Sequence, residues 1–391
     1  MLCRADKTPN AGGADASAPR RNARGFEWTC TERAQSSGIP ASTDSLRRKR
    51  RILTTVPADF NAFRSLDWSA AGLDVLDRTV FSPAGLLRRL FRAAGDYDAV
   101  LLNGSGRLDQ IAAALLARRR SVGHLVISDC TWRRGTWWLD RYACRAGIRA
   151  IDCPRVTYCV LSRDEVALFP RTWGVDPSRV VFTPFCYTLT EDELAAPTSD
   201  AVGVFSGGDS MRDYDPLLAA ARTLPVNVTL AVSQLRVARG RLPANVHAKP
   251  VSQGDFVELM RHARVVVVPL RAGSERSASQ QIYLNAMALG KVVITTDSPG
   301  ARDYIDDGST GVIVPPGDER SLAAALSRAL DPSRRREMQE IGARARAVVR
   351  SRFRPVDYVR ELIDVVDRVS KKKPAGDDDA PLWRPTGSTG R

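Results

Sequence analysis

The sequence lacks any long hydrophobic run. Among its 391 residues there is no stretch of about 18 to 20 uncharged apolar residues, the length that a membrane-spanning helix requires. The first residues carry Arg4 and Lys7 but continue as NAGGADASAP, without the apolar core of a secretory signal peptide. We therefore expect a cytoplasmic protein without an integral membrane segment.

Cysteine and histidine are too few and too scattered to indicate a disulfide framework or a metal centre. The seven cysteines form no Cys-x-x-Cys pair, and their odd number leaves one unpaired in any scheme. The three histidines, His124, His247 and His262, do not have the spacing of metal ligands. We expect reduced thiols, no metal and no other cofactor.

Acidic residues are outnumbered, and the excess of positive charge is unevenly distributed. The formal net charge is +14, and residues 1–51 alone hold eleven Lys or Arg against five Asp or Glu. Because this segment is also rich in Ala, Ser, Gly and Pro, residues 1–50 are predicted to form a disordered basic tail. The remaining charge suits an anionic substrate or peripheral contact with an anionic membrane. Since only charge points to nucleic acid, we expect no nucleic acid partner.

Two series of short apolar segments alternate with helix-like stretches, which predicts two α/β domains with parallel sheets. Strands are predicted at 52–56, 99–103, 125–128, 157–161 and 180–184, and again at 202–206, 228–232, 265–270, 292–296 and 312–314. The predicted divisions are a first domain at 51–187, an acidic linker at 188–201, a second domain at 202–352, a helix at 353–370 that packs back on the first domain, and a disordered tail at 371–391. Two such domains facing each other place a ligand cleft at the carboxyl ends of their strands.

The most informative segment contains NAMALGKVVITTD at 285–297 and DDGSTGVIVPPGD at 306–318. In order and spacing these residues closely resemble the signature of the C-terminal domain of retaining GT-B glycosyltransferases of family four, the group 1 transferases. The resemblance implies a GT-B fold of two Rossmann-like domains, with a nucleotide-sugar donor bound by 202–352 and the acceptor by 51–187. It also implies transfer with retention of configuration and without a metal.

The residues just before this signature favour a diphosphate site. Residues 273–279 are small and polar, and Ser279 is predicted to cap the following helix, so that unpaired backbone N–H groups and the positive helix end face the cleft. We expect the donor to contact Ser277, Ser279, Gln280 and Gln281.

A second donor contact is indicated by VFSGGDSMRDYDPLLAA at 204–220. The segment resembles the family's loop in which an Arg and, five residues later, a Lys contact the diphosphate. Here Arg212 takes the Lys position and Gly207 takes the Arg position. Gly207 and Gly208 allow the backbone to approach the ligand, and Arg212 is predicted to stabilise the leaving diphosphate.

The sequence departs from the family's pair of glutamates. In the alignment on Asn-Ala-Met-Ala, the second Glu falls on Asn285 and the first on Ser277. Glu275 substitutes for the first Glu only if the loop shifts by two residues. Asn285 is predicted to hydrogen-bond the ribose hydroxyls, without the strength of a carboxylate.

The first domain carries weaker signals. Asp129 is the candidate catalytic residue on the acceptor side, with a capping role as an equal alternative. Residues 83–92 predict an amphipathic helix that either packs on the sheet or lies on an anionic membrane. Trp132, Trp137 and Trp138, which lie among arginines, indicate a sugar-stacking or membrane-edge surface or ordinary partial burial.

The predicted activity is transfer of a sugar from a nucleotide-sugar to a glycan, lipid-linked or small-molecule acceptor, as in the biosynthesis of cell-surface polysaccharides. Two alternatives remain open. The missing glutamates favour a catalytically inactive GT-B subunit that binds sugar nucleotides or assembles with other proteins. A nucleotide-sugar epimerase shares this architecture but needs acid/base residues in the cleft.

Overall fold

The structure is a computed structural model that describes residues 51–56, 61–77, 80–135, 137–232 and 242–371. The predicted tail at 1–50 and nearly all of the tail at 371–391 lie outside the described residues. Within the described part of the chain, no helix is both long and apolar enough to cross a bilayer.

The first sheet has six parallel strands in the order β2-β1-β3-β4-β5-β6. These strands are β1 (Ile52–Thr54), β2 (Leu73–Val75), β3 (Ala99–Asn103), β4 (His124–Ser128), β5 (Val156–Val160) and β6 (Val180–Phe182). The helices around it are α1 (Asn61–Arg64), α2 (Pro83–Ala93), α3 (Arg107–Leu116), α4 (Trp138–Ile151) and α5 (Arg163–Trp173). All residues of β3 and β5 are buried, as expected for central strands covered on both faces.

The second sheet also has six parallel strands, in the order β12-β11-β10-β7-β8-β9. They are β7 (Val204–Gly207), β8 (Val228–Ala231), β9 (Val246–Lys249), β10 (Val265–Val268), β11 (Val292–Thr296) and β12 (Val312–Val314). Its helices are α7 (Asp215–Thr223), α8 (Gln253–Arg261), α9 (Gln280–Ala288), α10 (Ala301–Tyr304), α11 (Glu319–Leu330) and α12 (Arg335–Arg352). The valine run forms β10, which pairs with β7 and β11 and is at most 1% exposed.

Both sheets reverse their strand order at one point. The chain leaves β1 towards one edge and returns at β3, and it leaves β7 and returns at β10. Parallel α/β sheets bind ligands in the crevice at the carboxyl ends of the strands beside such a reversal. The loops that follow β3 and β7 are therefore the expected position of a site.

The elements not predicted from the sequence include two edge strands and a helix in the linker. β2 and β9 extend the outer edges of the two sheets. The predicted linker contains a short helix, α6 (Glu191–Ala195), because Thr190 accepts a hydrogen bond from the Glu193 N–H and the Glu193 carboxylate accepts one from the Thr190 N–H.

The last described helix, α13 (Pro355–Lys371), returns to the first domain and packs against α1, β3 and β4. Its buried face includes Tyr358, Leu362 and Val366. The Tyr358 ring lies 6.0 Å from that of Phe63 and 5.4 Å from that of Phe185. The core of the first domain is therefore completed by residues from the end of the chain.

The amphipathic helix expected at 83–92 is α2, and its apolar face packs on the first sheet. Leu86 and Leu90 are each 1% exposed and belong to the core that β3 and β4 share. The alternative of packing on the sheet is therefore confirmed for Leu86 and Leu90, whereas Phe91 of the same predicted face is 44% exposed.

Candidate active site

A cleft of about 360 Å³ lies between the two domains. The first domain contributes residues from the ends of β3 and β4 and from the chain beyond β5 and β6, and the second contributes the loop after β7 and the start of α9. The lining residues are Asn103, Ser105, Asp129, Thr131, Leu161, Phe185, Gly208, Asp209, Ser210, Arg212, Ser279, Gln280, Gln281 and Ile282. The cleft thus lies where the two strand-order reversals predict a site.

Six of the predicted site residues line this cleft: Asp129, Gly208, Arg212, Ser279, Gln280 and Gln281. Three others, Gly207, Ser277 and Asn285, are not among its lining residues, and each of the three has a protein partner described below.

Arg212 is a buried cation whose hydrogen bonds go to neutral oxygens, with Asp209 as a nearby negative charge. Its side chain donates from Nε to the Gly207 carbonyl at 2.9 Å, and from Nη1 to the Ser210 carbonyl at 3.0 Å and to the Ser279 hydroxyl. Burial lowers the pKa of the guanidinium, although arginine remains charged in proteins. Within the described part of the chain, no carboxylate forms a salt bridge with Arg212. A buried charge of this kind favours binding of an anion.

The N-terminus of α9 opens into the cleft. Ser279 precedes the helix in the left-handed region, with φ 75°, and makes no side-chain capping bond. The predicted cap is therefore wrong, because Arg212 takes the Ser279 hydroxyl instead. Among the described residues, the backbone N–H groups of Gln280 and Gln281 have no hydrogen-bond acceptor. These groups and the positive helix end suit an anionic oxygen.

Backbone strain is concentrated around the cleft. Among the described residues, the non-glycine residues with positive φ are Asp129 at 49°, Met211 at 61° and Ser279 at 75°. Asp129 and Ser279 line the cleft, and Met211 stands between two residues that do. Such conformations cost roughly 1 to 3 kcal/mol each, and they cluster at functional sites.

Asp129 is held by the C-terminal helix. The Tyr358 hydroxyl donates to Asp129 Oδ1 at 2.8 Å, and the carboxyl is only 7% exposed. Burial raises the pKa of Asp129 to about 6, while the bond from Tyr358 acts in the opposite direction. A carboxyl with a pKa near neutrality at the wall of a cleft is suited to proton transfer.

Gly207 provides a backbone carbonyl, and its position has no room for a side chain. A Cβ built on Gly207 would lie 2.5 Å from the ring of Phe256. Phe256 packs edge-on against Phe205 of β7, with ring centroids 5.0 Å apart. The Arg that the resemblance places at this position is therefore excluded sterically.

Ser277 and Asn285 bind residues of the first domain and the linker. The Ser277 N–H and hydroxyl donate to the Glu165 carboxylate at 2.9 and 2.6 Å. Asn285 accepts from the Thr188 N–H at 2.8 Å and donates to the Thr188 hydroxyl at 3.1 Å. At both positions where the resemblance expects a donor-binding glutamate, the side chain joins the two halves of the protein.

The sequence reasoning missed Arg276. Its guanidinium donates to the Ser210 hydroxyl at 3.0 Å, and Arg212 donates to the carbonyl of the same residue. Burial lowers the pKa of Arg276, and the neighbouring Arg133 lowers it further, whereas Glu165 raises it. Because Ser210 lines the cleft, two guanidinium groups meet at its wall. Its position three residues before Ser279, in the segment predicted to bind a diphosphate, could have identified Arg276 from the sequence.

Glu275 does not take the place of the missing glutamates. It forms a salt bridge at 2.8 Å with Arg134, from the loop between β4 and α4, with both side chains about half exposed. This pair connects the two domains beside the cleft.

The predicted tryptophan surface is divided. Trp132 is buried and donates from its indole nitrogen to the Gly104 carbonyl at 2.7 Å. Trp137 and Trp138 are 55% and 72% exposed. The alternative of ordinary burial therefore holds for Trp132 alone.

The architecture is the GT-B fold of two Rossmann-like domains, which confirms the predicted fold class. HepE of Anabaena in complex with UDP-glucose superposes with a TM-score of 0.58 at 15% identity, covering 82% of this chain and 100% of that one. Sucrose-phosphate synthase of Thermosynechococcus elongatus gives a TM-score of 0.59 at 16% identity, covering 82% and 99%. At this level of identity the similarity establishes the fold.

Two comparisons concern the sequence. Residues 230–332 match the model of the family described as glycosyl transferases group 1. The D-inositol 3-phosphate glycosyltransferase of Acidothermus cellulolyticus is 31% identical over 216 residues, which are 53% of this chain and 46% of that protein. The chain thus spans about half the length of this curated relative.

Proposed function

We propose that the protein is a glycosyltransferase that takes a sugar from a nucleotide-sugar and transfers it to a glycan, lipid-linked or small-molecule acceptor. The observation that carries the proposal is the buried Arg212, hydrogen-bonded only to neutral oxygens, beside the open N-terminus of α9. The group 1 match over residues 230–332 and the UDP-glucose bound by HepE support the same ligand class.

In the proposed reaction the donor diphosphate lies against Arg212, Arg276 and the first N–H groups of α9. Charge develops on the leaving diphosphate as the sugar–oxygen bond breaks, and fixed cations and N–H dipoles stabilise that charge. We propose that this arrangement supports transfer without a metal and with retention of configuration. Arg276 would supply the second cation that the glycine at 207 cannot.

The acceptor side of the proposal rests on the first-domain wall of the cleft. Asp129, Asn103 and Thr131 provide a carboxyl, an amide and a hydroxyl there. A sugar hydroxyl can be positioned by such groups, and Asp129 can assist its deprotonation. Cytoplasmic location, and peripheral contact with an anionic membrane when the acceptor is lipid-linked, belong to the same proposal.

A second candidate function is a binding or assembly subunit without transferase activity. It is favoured by the use of Ser277 and Asn285 for contacts between the two halves of the protein rather than for the donor. Such a protein binds a nucleotide-sugar without consuming it.

The test is incubation with a panel of sugar nucleotides, with and without glycan acceptors, followed by mass detection of the products. Transfer or release of a nucleoside diphosphate supports the proposal, binding without consumption supports the second candidate, and an isomerised sugar nucleotide identifies an epimerase. In a transferase, Arg212→Ala should lose about 2 to 4 kcal/mol of transition-state stabilisation. The exposed Arg222→Ala on α7 is the matched control, and unchanged kinetics in Arg212→Ala would remove Arg212 from the site.

A further inference from the structure

Exposed apolar side chains are confined to one part of the molecule. Among the described residues, the large apolar side chains that are exposed all lie between positions 80 and 142, within the first domain. They are Val80, Phe91, Ile111, Leu115, Trp137, Trp138, Leu139 and Tyr142. Scattered exposed apolar residues are normal on a soluble protein, but their concentration on one side indicates an interaction surface.

Two neighbouring helices carry the centre of this region. α3 and α4 pack against each other, and each presents a row of exposed residues spaced three or four apart, which places each row on one helix face. We define the α3–α4 surface by these rows: Arg107, Ile111 and Leu115 on α3 with Arg118 in the turn just after it, and Trp138, Tyr142, Arg145 and Arg149 on α4. Each row combines two apolar residues with two arginines.

Arginines dominate the charge of this region. Residues 104–151 contain nine arginines, no lysine, no glutamate and three aspartates. Two of these aspartates, Asp109 and Asp129, are buried. Within the described part of the chain, Arg118, Arg145 and Arg149 form no salt bridge. These three arginines therefore place positive charge beside exposed aromatic and aliphatic side chains.

We propose that the α3–α4 surface docks on an anionic lipid bilayer. Arginines attract lipid phosphates, while Trp and Tyr side chains are suited to the headgroup boundary, where one end of the ring is apolar and the other meets water. Ile111 and Leu115 would be removed from water by contact with acyl chains. A nucleic acid backbone offers no such apolar contact. A second copy placed symmetrically on this face would oppose arginines to arginines.

The position of the surface relates it to the cleft. α4 follows the loop that carries Asp129, Thr131 and Arg134, and Trp137 and Trp138 stand at the beginning of the helix. Docking would hold the acceptor wall of the cleft beside the bilayer. The inference deepens the membrane contact of the proposed function by naming the surface that makes it, and delivery of a lipid-linked acceptor rests on that function.

The experiment is sedimentation of the full chain with vesicles of phosphatidylcholine alone, or of equal parts phosphatidylcholine and phosphatidylglycerol, at low and high salt. We expect binding only to the mixed vesicles, weakened by salt. The double variant Arg145→Gln, Arg149→Gln should bind about 30-fold more weakly, and Trp138→Ala, Tyr142→Ala about tenfold. All four side chains are exposed, so these variants should fold.

The matched control is Arg320→Gln, Arg336→Gln, which removes the same charge from exposed positions of the second domain and should bind as the wild type does. Absence of sedimentation would refute the proposal. Equal weakening in the control would also refute it, because it would assign binding to net charge or to the basic residues at 1–51. A dimer that dissociates in Trp138→Ala, Tyr142→Ala would identify a second copy as the occupant, and competition by RNA without lipid binding would identify nucleic acid. Loss of vesicle binding with donor hydrolysis retained would separate this proposal from the proposed function.

Discussion

Replacing Asp129 with asparagine tests whether its burial is a cost that the fold carries for function. The amide has nearly the same shape as the carboxyl, and its oxygen can still accept the bond that Tyr358 donates at 2.8 Å. The substitution therefore removes the titrating carboxyl group while retaining the hydrogen bond from Tyr358. We expect Asp129→Asn to be more stable than the wild type at neutral pH.

The magnitude follows from the pKa. In the unfolded chain the aspartate has a pKa near 3.8, and burial raises the pKa of Asp129 to about 6 in the folded protein. Between these values the folded state binds more protons than the unfolded state. The contribution of Asp129 to the free energy of unfolding is therefore highest below about pH 4 and decreases as pH rises through 6. A difference of about two pKa units corresponds to roughly 3 kcal/mol.

The assay is denaturant unfolding of the wild type and Asp129→Asn from pH 4 to 8. The variant's advantage in free energy of unfolding should grow from near zero at pH 4 to roughly 3 kcal/mol above pH 6, and comparison of the two proteins cancels the other carboxyl groups. If Asp129 also transfers a proton to or from the acceptor, the wild-type turnover rate should change near pH 6, and this inflection should be missing in the variant. A pH-independent stability difference would refute the assigned burial, and identical rate profiles would refute the catalytic role.

Three further substitutions test contacts near the cleft. Arg276→Gln should weaken binding of nucleoside diphosphates by about 1 to 3 kcal/mol because a charged hydrogen-bond donor is lost at the wall of the site, and calorimetric titration that shows no change would remove it from the site. Asn285→Ala should lower the free energy of unfolding by about 1 to 3 kcal/mol with nucleotide affinity retained, because it leaves the Thr188 N–H unpaired; a selective loss of affinity would instead support the ribose contact. Glu165→Ala should lower the free energy of unfolding by about 2 to 4 kcal/mol because it removes both acceptors of Ser277, and unchanged melts would contradict the hydrogen bonds described for that pair.

The sequence was sufficient for the architecture and for the position of the strongest cation. β-branched runs such as the one at 265–268 are long and apolar enough to identify central strands without reference to their neighbours. Arg212 was found because the segment at 204–220 resembles a loop in which a cation at that position contacts a diphosphate. β2 and β9 escaped because they are three and four residues long and carry polar side chains such as Asp74 and His247, so only pairing with a neighbour defines them.

Contacts between distant parts of the chain could not be predicted. Glu165 and Ser277 are 112 positions apart, and locally Ser162 and Glu165 have the spacing of a capping pair, which they also form. The hydroxyl of Ser279, expected to cap α9, instead accepts a hydrogen bond from Arg212, which is 67 positions away. Local pattern reasoning therefore predicted a cap where a long-range contact determines the structure.

The return of α13 to the first domain affects how this chain can be recombined with others. Tyr358 contacts Asp129 and the rings of Phe63 and Phe185, so the first domain is assembled from two separate stretches of sequence. A chimera that exchanges the second domain must therefore have two junctions, one near the linker and one just before Pro355. With a single crossover, a foreign helix would pack on the first domain, and Asp129 would face whatever residue the other parent carries at the position of Tyr358.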